Sequence, residues 1–462
     1  MVSDSIQMSD RRPSMLNDGL KYSDSRMANE REFTKNLSSF DLKSSEGSYK
    51  GGPILFRKEN RCYTDPSDAH DLIVGGTGSM KTLKFVLPLI YSCAMANESM
   101  VIVDPKGELV RKAGNFLDRL GYKCVVLNWR RPQESPDNWN PFERVQNAYN
   151  EGVSGRDNAE NYLNDLLQSL FFGRTEKGKD PYWNEVSGQV ARGICKLILR
   201  INEPLSMKSI LEWRHTKMKD GTLQNCFSAL PTDSDIYQNL AGFMNLTAEN
   251  TRTCIESTFD QLTGLFSASK ALTDMMSNTT FTMEKIGKKK TAIFLVVPDE
   301  KTTYHFLATL FITQCYESLL DHADRYGGSL PIRVNFILEE FCNMPKLDDI
   351  VAMLTAARSR NIRFHIVIQS YSQMIDKYGE NVSKTVMDNC GNLIYLHTRE
   401  ISFLEYISKL AGKNEYGRPL LSVSRLQHLQ KSETVIFHDR CYPMVVQDLP
   451  LIFEYPMAQD FS

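Results

Sequence analysis

The 462-residue chain lacks the ~18–20 consecutive apolar residues that a membrane-crossing helix needs. Its longest apolar stretch, Phe85 to Ala96, is shorter and is broken by Pro88. The N-terminus has no apolar core of the kind a signal peptide carries, so the expectation is a soluble, cytoplasmic chain. The ten cysteines contain no C-x-x-C pair, which excludes a thiolate zinc site or a dithiol redox motif of that pattern. Scattered in this way, they suit buried thiols in a reducing compartment. The eight histidines form no metal-ligand motif either. A formal net charge of −2 excludes a protein that coats nucleic acid over its whole surface, and leaves room for a local basic channel. Internal repeats and low-complexity tracts are missing too. What remains is 42% hydrophobic and 24% charged, ordinary for a globular protein long enough for two or three domains.

The chain is organised around Gly75-Gly76-Thr77-Gly78-Ser79-Met80-Lys81-Thr82. The octapeptide follows the apolar run Leu72-Ile73-Val74 and leads into the buried-helix pattern Leu83 to Ala96. Strand, glycine-rich turn, Lys-Thr and helix is the order of a phosphate-binding loop. Small residues let backbone N–H groups face a polyphosphate, and the helix start adds positive partial charge. Lys81 would reach the β- and γ-phosphates of ATP, and the Thr82 hydroxyl would ligate Mg²⁺. Met80 stands where the pattern wants glycine. Taken alone, the octapeptide also reads as a glycine-rich turn with a chance Lys-Thr.

Residues 1–50 are polar and aperiodic and are expected to be a disordered or loosely attached tail. Residues 52–56 and 61–63 read as a hairpin, followed by a turn at Asp65-Pro66-Ser67-Asp68. Ser99 to Asp104 and Lys123 to Asn128 read as strands around a helix at about 109–120, giving the βαβαβ order of a layered α/β domain. From about 140 to 285 the periodicity is helical, as in 158–172, 183–200 and 250–266. Strand patterns resume at 291–297, 334–340, 363–369, 392–397 and 434–438, with helices at 303–325 and 346–360. The domains expected are therefore an α/β nucleotide-binding core over 51–142 and 283–450, an all-α insertion over 143–282, and a C-terminal tail over 451–462.

Hydrolysis needs more than a phosphate loop. Ile337-Leu338-Glu339-Glu340 places two carboxylates where an apolar strand ends, the edge of an open α/β sheet at which ligands bind. Glu339 would hold the Mg²⁺ shell and Glu340 would polarise the attacking water. Gln369, at the next strand tip, can sense the γ-phosphate through its amide. Each of these residues also has a plain reading as a polar strand end.

Together the pieces resemble a family. In order come Gly75 to Thr82, Asp104-Pro105-Lys106-Gly107-Glu108, Trp139-Asn140-Pro141-Phe142, Asp180-Pro181-Tyr182-Trp183, Leu338 to Pro345, Ile368 to Gln373, Asn389-Cys390-Gly391-Asn392 and Gly417 to Leu421. This order is similar to that of the conjugative coupling proteins of type IV secretion systems (the TraG/TraD type), over roughly residues 53 to 450. The resemblance implies a RecA-like P-loop NTPase core with a mainly parallel central sheet and an inserted all-α domain. It implies an ATP-driven, homohexameric pump for single-stranded DNA bound to a relaxase or relaxosome, working with secretion-channel subunits at the inner membrane. It also implies an arginine from a neighbouring subunit, for which Arg358 and Arg360 are the candidates. Lys288, Lys289 and Lys290 are candidates for lining a DNA path, or a solvated turn.

Three departures from the family stand out. Met80 replaces the glycine before the lysine, Glu339 stands where the family has aspartate, and the N-terminal transmembrane helices of the family are missing from this chain. The expected location is cytoplasmic, with recruitment to the inner face of the membrane. The first two departures leave two readings of activity open. Either the longer Glu339 compensates for a displaced loop, or the site is weakened and the protein is a substrate-docking adaptor. Another DNA translocase of the same superfamily is a third reading.

Overall fold

The computed structural model describes residues 25–44, 47–172, 181–298 and 300–461. Twelve strands are formed among them: β1 (Ser38–Asp41), β2 (Ile54–Lys58), β3 (Arg61–Thr64), β4 (His70–Gly75), β5 (Ser99–Asp104), β6 (Lys123–Asn128), β7 (Thr291–Val296), β8 (Val334–Leu338), β9 (Ile362–Ile368), β10 (Cys390–His397), β11 (Glu433–His438) and β12 (Met444–Gln447). Nine build one sheet in the order β12-β11-β10-β4-β9-β8-β5-β7-β6. From β10 to β6 every pair is parallel, and β11 and β12 add an antiparallel edge. The central strands are buried along their whole length, as expected for parallel strands covered on both faces. Each adds a residue to alternate sides: Leu72 and Val74 pack into one core, Ile73 into the other.

The first core joins the sheet to the helical insertion. Between 143 and 282 the described residues form helices and turns, the longest being Pro181–Arg200 and Glu249–Ser267. Trp139 sets its ring against Trp129 and Phe311, with centroids 6.0 and 5.1 Å away, and so anchors the start of the insertion on the helix His305–Arg325. Asn140 donates to the Leu205 carbonyl at 2.8 Å and accepts from the Phe142 N–H, which turns the chain into the insertion.

The second core lies on the opposite face, under the helices Leu87–Met95 and Glu108–Arg119. Here the structure differs from the sequence expectation at both ends of the chain. Residues 1–24 lie outside the described residues, but 25–44 and 47–50 do not form a loose tail. β1 pairs antiparallel with β3, Ala28 donates to the Pro443 carbonyl at 2.9 Å, and Phe33, Phe40 and Tyr49 are buried. At the other end Tyr455 and Phe461 are 3% exposed and pack on Tyr91 and Phe116, at centroid distances of 5.0 and 4.6 Å. Isolated aromatics in polar sequence carry no period, which is why both segments read as tails. All ten cysteines are free thiols. Among the described residues no helix is long and apolar enough to cross a membrane.

If the C-terminal segment is part of the core, Phe461→Ala removes a buried ring and destabilises the protein by about 3–5 kcal/mol. The check is the urea midpoint of the variant, which would not move if residues 451–462 were loosely attached.

Candidate functional site

The octapeptide forms a tight loop between β4 and the helix that follows. Gly76 N–H donates to the His397 carbonyl at 2.7 Å, pinning the start of the loop to the end of β10. Gly75 has no room for a side chain, since a Cβ there would meet Ser79 Oγ at 2.5 Å. Gly78 and Met80 both take positive φ, +79° and +64°. For methionine this left-handed conformation costs roughly 1–2 kcal/mol that glycine would avoid. Past Lys81 the chain makes one wide helical turn over Thr82–Val86, in which Leu87 N–H bonds the Thr82 carbonyl, before ordinary α-helix begins.

Three further strand ends meet this loop because β4, β9, β8 and β5 are neighbours in parallel register. Their carboxyl ends surround a cavity of about 280 Å³ lined by Gly76 to Leu83, Asp104, Pro105, Lys106, Glu108, Glu339, Glu340 and Gln369. Gln369 donates to both carboxylate oxygens of Glu340 at 2.8 Å, and its own oxygen accepts from the Thr77 hydroxyl at 3.3 Å. Thr82 Oγ1 donates to Glu339 Oε1 at 2.9 Å. Glu340 adopts φ +54°, a second strained residue across the cavity from Met80.

The electrostatics show what the cavity is short of. Burial pushes the Glu339 carboxyl up to about 7, and the charges of Asp104 and Glu340 act in the same direction against the hydrogen bond from Thr82. Burial also lowers Lys81 below the ordinary lysine range, against the pull of Glu340 and Glu339, while the charge of Lys106 lowers it further. Lys81 Nζ turns back onto the carbonyls of Gly75 and Gly76. Ser79 Oγ is buried with no hydrogen-bond partner. An unsatisfied hydroxyl, a lysine spent on its own loop and a buried carboxyl beside a threonine hydroxyl have the chemistry that could hold a polyphosphate with Mg²⁺. Thr82 and Glu339 would hold the ion. They are two hard oxygens, which suits Mg²⁺ because it draws its remaining ligands from phosphate and water.

Arg358 and Arg360 are not brought to this cavity. They end the helical segment before β9, at the amino edge of the sheet, where Arg358 pairs with Asp68 at 2.9 Å and Arg360 donates to the Ala356 carbonyl. The strand β4 separates Asp68 from the phosphate loop, a distance of roughly 20 Å at ~3.3 Å per residue. Lys288, Lys289 and Lys290 lie at that same amino edge, just before β7, with Lys288 over the ring of Tyr326 at 5.2 Å. Of the sequence motifs, Asp180 lies outside the described residues. Lys106 was not among the expected site residues; its signal was a Pro-Lys-Gly turn directly after an apolar strand.

A sheet that is parallel through its centre, with these groups at its carboxyl edge, is the RecA-like P-loop class of fold. A family model described as type IV secretory system conjugative DNA transfer matches residues 21–441. The chain belongs to that family. Conjugal transfer protein TraG of Rhizobium radiobacter is 21% identical over 399 residues, 80% of this chain and 56% of that protein. Protein VirD4 of Rhizobium rhizogenes is 26% identical over 174 residues, 37% of this chain and 25% of that protein. The chain thus spans from a quarter to little more than half the length of these relatives. Plasmid coupling protein TrwB, solved with the ATP analogue ADPNP, has the same fold: TM-score 0.63 at 17% identity, covering 93% of this chain and 96% of TrwB. TrwB with ADP and Mg²⁺ gives 0.62 at 17% identity, over 89% and 93% of the two chains.

The raised Glu339 makes stability depend on pH. A carboxyl whose folded value is about 7, above its ordinary 4.5, stabilises the fold fully below pH 4.5, and that stability is lost as pH rises through 7. Glu339→Gln removes the titration. The variant should melt above the parent at pH 8 and show no such advantage at pH 4.5, as measured by thermal denaturation in both buffers.

Proposed function

We propose that this chain binds ATP with Mg²⁺ at the carboxyl edge of its sheet and hydrolyses it to drive single-stranded DNA, carried by a relaxase or relaxosome, toward a type IV secretion channel. The observation that carries the reading is the convergence of Lys81, Thr82 with Glu339, and Glu340 with Gln369 on one cavity. In this mechanism Lys81 leaves the Gly75 and Gly76 carbonyls for the β- and γ-phosphates. Thr82 and Glu339 would hold Mg²⁺, which when bound would neutralise charge on the phosphates. Glu340 accepts a proton from the attacking water, and Gln369, already bonded to Glu340, sets that water in line with the terminal phosphate. The nucleoside end has room beyond Thr77 and Gly78, in a hollow of about 410 Å³ whose walls include Leu396 and Leu429.

The assembly we propose is a homohexamer on the cytoplasmic face of the inner membrane, its helical insertion receiving the DNA-processing complex. TrwB was solved as a plasmid coupling protein with ADPNP and with ADP and Mg²⁺, which supports the nucleotide-binding part of the proposal. Arg358 and Arg360 would serve only the nucleotide of a neighbouring copy, and only if that copy approached from the amino edge.

The strain at Met80 and the retracted Lys81 favour a second reading, a docking adaptor whose loop has lost turnover. Phosphate release by the purified chain, with and without single-stranded DNA, decides between them. On the motor reading the parent turns over, and Lys81→Ala abolishes turnover. Glu340→Gln slows it about 10²–10⁴-fold with nucleotide still bound. Met80→Gly then changes the rate less than about twofold, since its ~1 kcal/mol of strain is already carried by the active loop. A parent no faster than Lys81→Ala, revived by Met80→Gly, makes it the adaptor.

A further inference from the structure

The turn Asp104-Pro105-Lys106-Gly107-Glu108, at the carboxyl end of β5, assigns a structural task to four of its five residues. Asp104 is buried, and its two carboxylate oxygens accept from the N–H groups of Glu108 and Val110 at 3.0 and 2.9 Å, capping the helix Glu108–Arg119. Pro105 restricts φ as the strand ends. Gly107 takes φ +66°, a left-handed conformation in which a side chain would be strained. Glu108 pairs with Lys112 at 2.6 Å, one helical turn on. Lys106 is left over. It is exposed, its side chain makes no hydrogen bond or ion pair among the described residues, and it lines the cavity that holds Lys81, Glu339, Glu340 and Gln369.

The position of this lysine within the sheet matters. The strand order β4-β9-β8-β5 sets the phosphate loop at one end, Gln369 and then the acidic pair in the middle, and Lys106 at the other end. A polyphosphate that starts on the loop and points its terminal phosphate at Gln369 and Glu340 therefore runs toward β8, the strand next to β5. Neither adjacent acid is available to Lys106, because Asp104 is held by backbone N–H groups and Glu108 by Lys112. Every residue of the turn but Lys106 has a capping, pairing or backbone role, and Lys106 brings an unpartnered side chain to the cavity.

We propose that Lys106 is a second phosphate-binding cation, which grips the terminal phosphate of a nucleoside triphosphate from the β5 side and gives the site its preference for triphosphate over diphosphate. This rests on the nucleotide reading above. Lysine is suited to the role as a point charge on a flexible stem, able to follow a phosphate that moves away as it is transferred.

The test is the affinity of the full chain for ADPNP and for ADP, each with Mg²⁺, by calorimetry. Lys106→Ala should weaken ADPNP roughly 10- to 100-fold, the range for a hydrogen bond to a charged group, while changing ADP less than about twofold. Lys106→Arg should restore most of the ADPNP affinity. Lys106 is exposed on a turn fixed by its neighbours, so the variants keep the fold, which their melting temperatures verify. Equal losses for the two nucleotides, or no loss for either, overturn the assignment while leaving the nucleotide site intact. A parent chain that binds neither nucleotide overturns the site and the Lys106 assignment with it.

Discussion

The amide of Gln369, held between the carboxylate of Glu340 and the hydroxyl of Thr77, is the contact on which the rest of the site depends. Each partner ends a different strand. The three can meet only if β8, β9 and β4 lie side by side, point the same way and end level. The ladder registers provide this, with Leu338 opposite Ile366 and Ile368 opposite Val74. A slip of one residue would turn every side chain to the other face and break the contact. The loop and the acidic turn both bend through positive φ at non-glycine residues, Met80 and Glu340. Strain of that kind persists where the surrounding structure over-determines it.

That determination comes from the other edge of the sheet. Arg363, wholly buried, donates to Asn335, to the carbonyls of Asp65 and Ser67, and to Glu98. His365 bonds both Asp71 and Asn335, and Asn392 donates to Asp65 and Asp71 at 2.7 Å each. Buried charges survive only when so partnered. The chain of bonds runs across β8, β9, β4 and β10, the strands that carry the acidic pair, Gln369, the phosphate loop and its His397 anchor. Polar partners at the amino edge thus set the alignment used at the carboxyl edge.

Much of this was legible in the sequence because parallel strands announce themselves as short apolar runs. Leu72-Ile73-Val74, Val101-Ile102-Val103 and Phe336-Ile337-Leu338 each end in the residues that reach the cavity. The packed ends of the chain were not legible, since Phe33, Phe40, Tyr455 and Phe461 reach the core one at a time from polar surroundings. Arg358 and Arg360, expected to serve a neighbouring subunit's site, lie at the edge opposite this chain's own cavity for a reason available in advance. Arg358 and Arg360 immediately precede a parallel strand, and a crossover helix returns the chain to the amino edge before the next strand begins. Residues just after a strand, such as Lys106, lie at the edge where ligands bind. The signatures Asn140 and Asn392, read as family marks, turn out to bond backbone and carboxylates that hold the fold.

Membership of the type IV conjugative DNA transfer family fits a chain whose candidate site is assembled from four strand ends around one cavity. The most direct measurement is a structure of the chain soaked with ADPNP and Mn²⁺, the metal located by its anomalous signal. The account predicts the metal on Thr82 and Glu339, and the terminal phosphate within hydrogen-bonding distance of Lys81 and Gln369. A nucleotide lodged elsewhere, or a terminal phosphate kept out of the cavity by the Met80 side chain, would contradict it.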